Sequence, residues 1–143
     1  MLTLKMLRDD PEMVIKKLAK KNFDAREIIA KVLELDAQRR SFQTESDAIV
    51  AQQKQKAAEI GGYMKQGLKD AAEKAKAEVA ELKARSSELL AKFDAAEAEM
   101  NSLIVLMPNI PCDLVPEGAG AADNLVVKMG GKDPVLPENA LPH

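Results

Sequence analysis

The sequence predicts an all-α fold: a long antiparallel two-helix coiled-coil hairpin, or arm, with a short N-terminal helix packed at its base and an irregular C-terminal linker. Three observations carry this. From Asp24 to Gly61, and again from Leu68 to Pro108, the chain holds no interior proline or glycine. Both stretches place apolar residues at alternating spacings of four and three, the 3.5-residue period of a coiled-coil seam. Aromatic residues make up 3% of the chain, charged residues 31%, and the apolar share leans on Ala, a composition suited to long helices rather than a filled globule.

The elements follow in order. Asp10 before Pro11 is an N-cap followed by proline at the first helical position, and it opens a short amphipathic helix over 11–21. Its buried side holds Met13, Val14 and Leu18, with Leu7 a further candidate. The first arm helix, 25–60, opens on Asp24-Ala25-Arg26-Glu27, a capping box with Asp in the first place, and closes at Gly61-Gly62. Its run of ~36 residues spans ~54 Å at 1.5 Å per residue. The second arm helix covers 67–107. Residues 1–107 then form the arm domain. Residues 108–143 hold six of the seven prolines and four of the seven glycines, and read as a linker with one short strand-like run, Leu125-Val126-Val127.

Two helices joined by so short a turn run antiparallel. The seam positions of the first are Ile28, Val32, Leu35, Arg39, Phe42, Ser46, Ile49, Gln53, Lys56 and Ile60. Those of the second run from Leu68, Ala72, Ala75 and Val79 through Leu82, Ser86, Leu89 and Phe93 to Ala96, Met100, Leu103 and Met107. Folding at Gly61 sets a register in which facing position numbers sum to about 128, so that Ile49 meets Val79, Phe42 meets Ser86 and Leu35 meets Phe93. Flanking pairs Lys31–Glu99 and Glu45–Arg85 agree with it, each contributing only a few tenths of a kcal/mol. Toward the turn, Gln53, Lys56, Ala72 and Ala75 replace large apolar groups, which makes the tip the expected mobile end.

The chain offers little chemistry. Its one histidine, His143, is the last residue, so no histidine dyad, triad or metal cluster forms within it. Cys112 has no second cysteine to pair with, in keeping with a reducing compartment. The glycines match neither a phosphate loop nor a dinucleotide fingerprint. The N-terminus meets Arg8-Asp9-Asp10 too soon for a signal peptide, and no stretch approaches the ~18 apolar residues of a membrane span. The expectation is a soluble, cytoplasmic chain with no catalytic, cofactor or metal site of its own.

Charge is where function enters. From Gln52 to Lys76, six lysines stand against three acids, a balance of +3, while from Ala77 to Met107 the balance is -3. Lys69, Lys76 and Lys83 are seven apart and lie along one edge of the second helix, opposite Ala57, Val50 and Gln43 in this register, none of them acidic. Such an unpaired stripe on a rod can contact a phosphate backbone. Lys54, Lys56 and Lys65 near the tip are secondary candidates. Ordinary solvated lysines with partners such as Glu73 are the plainer alternative. Tyr63 at the turn either stacks on a base or caps the end of the seam.

Several strings, in order, resemble seryl-tRNA synthetases of the bacterial type. They begin with Met6-Leu7-Arg8-Asp9-Asp10-Pro11, then Val32-Leu33-Glu34-Leu35-Asp36 with Arg39-Arg40, and Glu59-Ile60-Gly61. After the second helix come Pro108-Asn109-Ile110-Pro111, Val115-Pro116-Glu117-Gly118, Asp123-Asn124 and Leu141-Pro142-His143. The resemblance implies an N-terminal arm that reaches across a homodimer and grips the long variable arm of serine tRNA. It also implies that ATP, Mg²⁺ and serine bind in a class II catalytic domain beyond this chain. Ala57-Ala58 stands where many bacterial relatives carry Ser-Lys before Glu-Ile-Gly, so no basic contact is carried over to that place. The alternative is a protein-interaction or spacer coiled-coil hairpin that binds no RNA.

Overall fold

The computed structural model describes residues 2–131; the remainder of the expected linker, with Leu141-Pro142-His143, lies outside the described residues. Among the described residues four α-helices form: α1 (Leu4–Asp9), α2 (Pro11–Ala19), α3 (Arg26–Lys65) and α4 (Lys69–Ile104). The last two pack side by side as the long hairpin, and α1 and α2 close its base. At 40 and 36 residues, α3 and α4 are roughly 60 and 54 Å long.

Helix α1 was not expected. Thr3 caps it, its hydroxyl accepting the Met6 N–H at 3.3 Å. The expected cap of α2 forms: the Asp10 carboxylate accepts from the Met13 N–H at 2.9 Å, with Pro11 in the first turn. The chain leaves α2 earlier than expected, through Asn22 at φ 54, with Phe23 N–H donating back to the Leu18 carbonyl. The capping box expected at Asp24 does not form. That carboxylate instead takes the Arg26 backbone N–H and both sides of its own guanidinium, at 3.2, 2.9 and 2.6 Å. These bonds from Arg26 hold the Asp24 carboxyl down at about 2.

The turn is the main correction. Helix α3 does not stop at Gly61-Gly62 but passes through them and ends three residues later. Helical glycine costs about 1 kcal/mol against alanine, a cost that continued pairing of the helices can outweigh. Closure falls to Gly67, the glycine with φ of +74, where the Leu68 N–H donates to the Tyr63 carbonyl at 2.9 Å and seals the helix end. Moving the fold point slips the register. Observed contacts across the hairpin are Arg39–Glu97, Lys56–Glu78 and Arg39 over Phe93, whose position numbers sum to 136, 134 and 132. A slip of one whole heptad from the expected register keeps every seam residue facing a seam residue, and it places Ile49 opposite Ser86 instead of Val79. The expected pairs Lys31–Glu99 and Glu45–Arg85 are accordingly not made, and Lys31 turns to Glu34 on its own helix at 3.2 Å.

The apolar core sits at the base. Leu7 of α1, Val14 and Leu18 of α2, Ile29, Val32 and Leu35 of α3, and Ala96 and Met100 of α4 are buried together, with Met107 just beyond. Toward the tip only Ile49, Ala72, Ala75 and Leu89 are buried, and the amide nitrogen of Gln53 is enclosed without a hydrogen-bond partner. Residues after α4 stay against the base: Lys17 pairs with Asp113 at 2.8 Å, Lys21 donates to the Asn109 carbonyl at 2.8 Å, and Asn22 donates to the Gly118 carbonyl at 3.0 Å. Gly118 also lies where a Cβ would run into the Asp123 side chain. The Leu125-Val126-Val127 run forms no strand, since no second strand pairs with it among the described residues.

Candidate nucleic-acid interface

Heptad position and the observed register divide the hairpin surface into two long edges. One is acidic near the tip and closed by an ion pair. Lys56 lies 2.9 Å from Glu78 across the hairpin and 3.2 Å from Glu59 on its own helix. Beside it runs a shallow groove lined by Gln52, Glu81, Leu82 and Arg85. The carboxylates of Glu78 and then Glu59 raise the Lys56 ammonium above its ordinary value, and Lys56 lowers Glu78 in return. Lys56 therefore stands on the edge opposite the other candidate lysines, with its charge met twice over.

The other edge carries Lys69, Lys76 and Lys83, all exposed. A slip of one heptad returns each edge position to an edge position, so only their partners change. They now face Met64, Ala57 and Val50 of α3, which are again without an acid. Lys76 reaches Glu73 on its own helix at 2.7 Å, the two side chains being 49% and 72% exposed, a pairing of little weight. Lys69 and Lys83 make no ion pair among the described residues. Lys54 lies on the same side of the rod, one helical row outward on α3. Lys65 is exposed in the last turn of α3, beside the closure at Gly67. Tyr63 is half-buried at the end of the seam, with Met64 and Leu68 exposed at 57% and 48%. The edge thus offers three lysines in one row of α4, the middle one reaching Glu73, with Lys54 one row outward on α3. Among the described residues no cluster of His, Cys, Asp and Glu could hold a metal ion, and no helix is long and apolar enough to cross a membrane.

A second polar centre, at the base, escaped the sequence reading. Asp36 is fully buried, and three arginines converge on it: Arg8 through Nε and Nη2 at 2.7 and 2.8 Å, Arg40 through Nε at 3.1 Å, and Arg39 through Nη2 at 3.4 Å. Burial works to raise the carboxyl, but the hydrogen bonds and charge of Arg8, then the charge of Arg40, outweigh it and hold Asp36 below its ordinary range. The spacing of Asp36 and Arg40 signals the local pair. Nothing in the local pattern announces Arg8, which arrives from a different helix.

The sequence profile of the seryl-tRNA synthetase N-terminal domain matches residues 1–111 of this chain. The chain belongs to the seryl-tRNA synthetase N-terminal domain family. Among full-length relatives, serine–tRNA ligase of Cyanothece sp. is 34% identical over 147 residues, covering 100% of this chain and 34% of the relative. That of Rhizobium etli is 35% identical over 136 residues, covering 94% of this chain and 31% of the relative. A crystal structure of seryl-tRNA synthetase from Pyrococcus horikoshii, complexed with ATP, superposes with a TM-score of 0.77 at 26% identity, covering 86% of this chain and 27% of that one. The chain spans about a third of the length of the relatives it matches. In this family's N-terminal domain the resemblance seen in the sequence and the hairpin seen in the structure coincide, from the Arg8-Asp9-Asp10-Pro11 string at the base to the second arm helix.

Proposed function

We propose that this chain is the tRNA-binding arm of a serine–tRNA ligase, and that it grips the long variable arm of serine tRNA along the edge formed by Lys69, Lys76 and Lys83, with Lys54 and Lys65 flanking. The observation that carries the reading is this edge itself: a row of exposed lysines with no acid facing it across the hairpin, on a rod long enough to lie along a protruding RNA helix. Recognition of this kind reads shape and phosphate positions, with little base readout. Lys56, bound to Glu59 and Glu78, drops out of the contact set. In this reading 1–107 is the arm domain, and 108–143 leads toward a class II catalytic domain that supplies serylation with ATP and Mg²⁺. The parent enzyme is a cytoplasmic homodimer, and the chain itself positions RNA without reacting. A second reading, a protein-docking hairpin, draws on the exposed Met64 and Leu68 at the tip.

The test is a binding titration of the chain with serine tRNA and with the same tRNA lacking its variable arm. Tighter binding of the intact tRNA by tenfold or more, about 1.4 kcal/mol, is expected. Equal affinity for the two would contradict the variable-arm assignment, and no affinity for either would favour the protein-docking reading.

A further inference from the structure

We propose that Arg40, oriented by the buried carboxylate of Asp36, is a phosphate-binding fork that extends the RNA-facing edge down to the base of the arm. This inference rests on the RNA-binding reading above and adds a site to it.

The three arginines around Asp36 are not equivalent. Arg8 has committed Nε and Nη2 to the two carboxylate oxygens. Arg39 divides itself between Asp36 and Glu97, at 3.4 and 3.5 Å, and lies over the Phe93 ring at 5.5 Å. Arg40 gives Asp36 only its Nε, and its side chain is 59% exposed. Its two terminal nitrogens make no hydrogen bond among the described residues. The guanidinium is a rigid plane, so fixing its Nε side aims the free terminal edge outward, and a phosphate's oxygens match such an edge in a bidentate contact. The freedom normally lost when an arginine grips a ligand has here been given up already, in folding.

Charge points the same way. Asp36 is 0% exposed, so its negative charge is hidden beneath the guanidiniums that surround it. Of three positive groups, one is answered by Asp36 and one by Glu97, which leaves one unanswered, and Arg40 is the most exposed of the three. The surface nearby is mixed: Asp47 and Asp94 lie on the same side of the rod, and Asp47 accepts a hydrogen bond from Gln43 at 2.9 Å. A diffuse basic field is therefore not what would draw RNA here. The contact is local, made by a pre-aimed fork.

Position completes the argument. In the heptad count Arg40 occupies the same row of α3 as Lys54, on the side that holds Lys69, Lys76 and Lys83. Fourteen residues of helix separate the two, roughly 21 Å. RNA lying along the lysine edge toward the base would pass over Arg40. The fork would then fix how far down the arm the RNA sits, a task that mobile lysines perform poorly.

The experiment compares wild type, Arg40→Gln and Arg40→Lys as the whole chain, titrated with serine tRNA at several salt concentrations, with melting followed in parallel. Arg40→Gln is expected to weaken binding roughly tenfold at low salt and to flatten the slope of log affinity against log salt by roughly 0.7 to 0.9, one phosphate contact. Arg40→Lys should restore the slope but not the affinity, since it returns the charge without the fork. An unchanged slope in Arg40→Gln, with tRNA still bound by wild type, would overturn this proposal alone and leave Arg40 as a partner of Asp36. Full recovery of affinity in Arg40→Lys would overturn the fork. No tRNA binding by wild type would remove the functional reading and this site together.

Discussion

The base and the tip of this arm are built on opposite plans. At the base, four helices share one apolar core, and a carboxylate with no exposed surface is ringed by three arginines. At the tip, two helices face each other through alanines, a glutamine and a lysine, and large apolar side chains such as Met64 and Leu68 reach solvent. A two-helix rod can bury only a narrow stripe, so its outer half gains little from packing beyond what the seam supplies. That thinness leaves the edges of the outer half exposed, while at the base α1 and α2 cover Ile29 and Asp36. Stability concentrates where the hairpin is anchored, and charge is displayed where it is not.

The sharpest way to break this contrast is to remove the anchor. Asp36→Asn leaves three arginines around a neutral amide, and loss of one partner from a buried charged network costs about 3 kcal/mol. Melting should fall by roughly 10 °C, measured by helical circular dichroism. A change of only a degree or two would show that the base does not depend on Asp36. The variant should also alter the acid limb. The folded-state pKa of Asp36 is depressed, so its contribution is complete above the ordinary carboxylate range and is lost as pH falls through the depressed value. Wild type should lose stability over that acid interval more steeply than Asp36→Asn.

The tip is sharpened by its register. In a Cys112→Ser background, cysteines at Ile49 and Ser86 should crosslink readily, and cysteines at Ile49 and Val79 should not. The reverse result would return the turn to Gly61 and shift every lysine on α4 by a heptad relative to α3.

The same contrast governs what could be read from the sequence. The hairpin was legible because its cause is local: a 3.5-residue repeat is visible wherever it runs, and Asp10-Pro11 marks a helix start without reference to anything distant. The register was not, because a heptad repeat is satisfied equally well after a slip of seven. The choice between Gly61-Gly62 and Gly67 depends on which glycine takes a positive φ. Sequence marks all three as breakers, and only the folded chain shows that two of them lie within a helix. The lysine edge was legible despite the wrong register, since a one-heptad slip maps edge onto edge. Lys56 shows the limit: the heptad count puts it on the seam and ranks it a secondary candidate, but its commitment to Glu78 appears only when the two helices are aligned. The Asp36 centre was hidden for the same reason, because Arg8 is 28 residues away along the chain.

We propose that the lysine edge of α4, and not positive charge in general, holds the RNA. This claim is tested most directly by the salt dependence of serine tRNA binding in wild type, in Lys69→Gln/Lys76→Gln/Lys83→Gln, and in Lys31→Gln/Lys92→Gln, whose lysines lie off that edge. Helicity should be almost unchanged in each, since Lys and Gln have similar helix propensity. The triple variant should bind more weakly, with a slope flatter by roughly 2 if all three lysines touch phosphate, while the control keeps the wild-type slope. An unchanged slope in the triple variant, or an equal loss in the control, would contradict the claim.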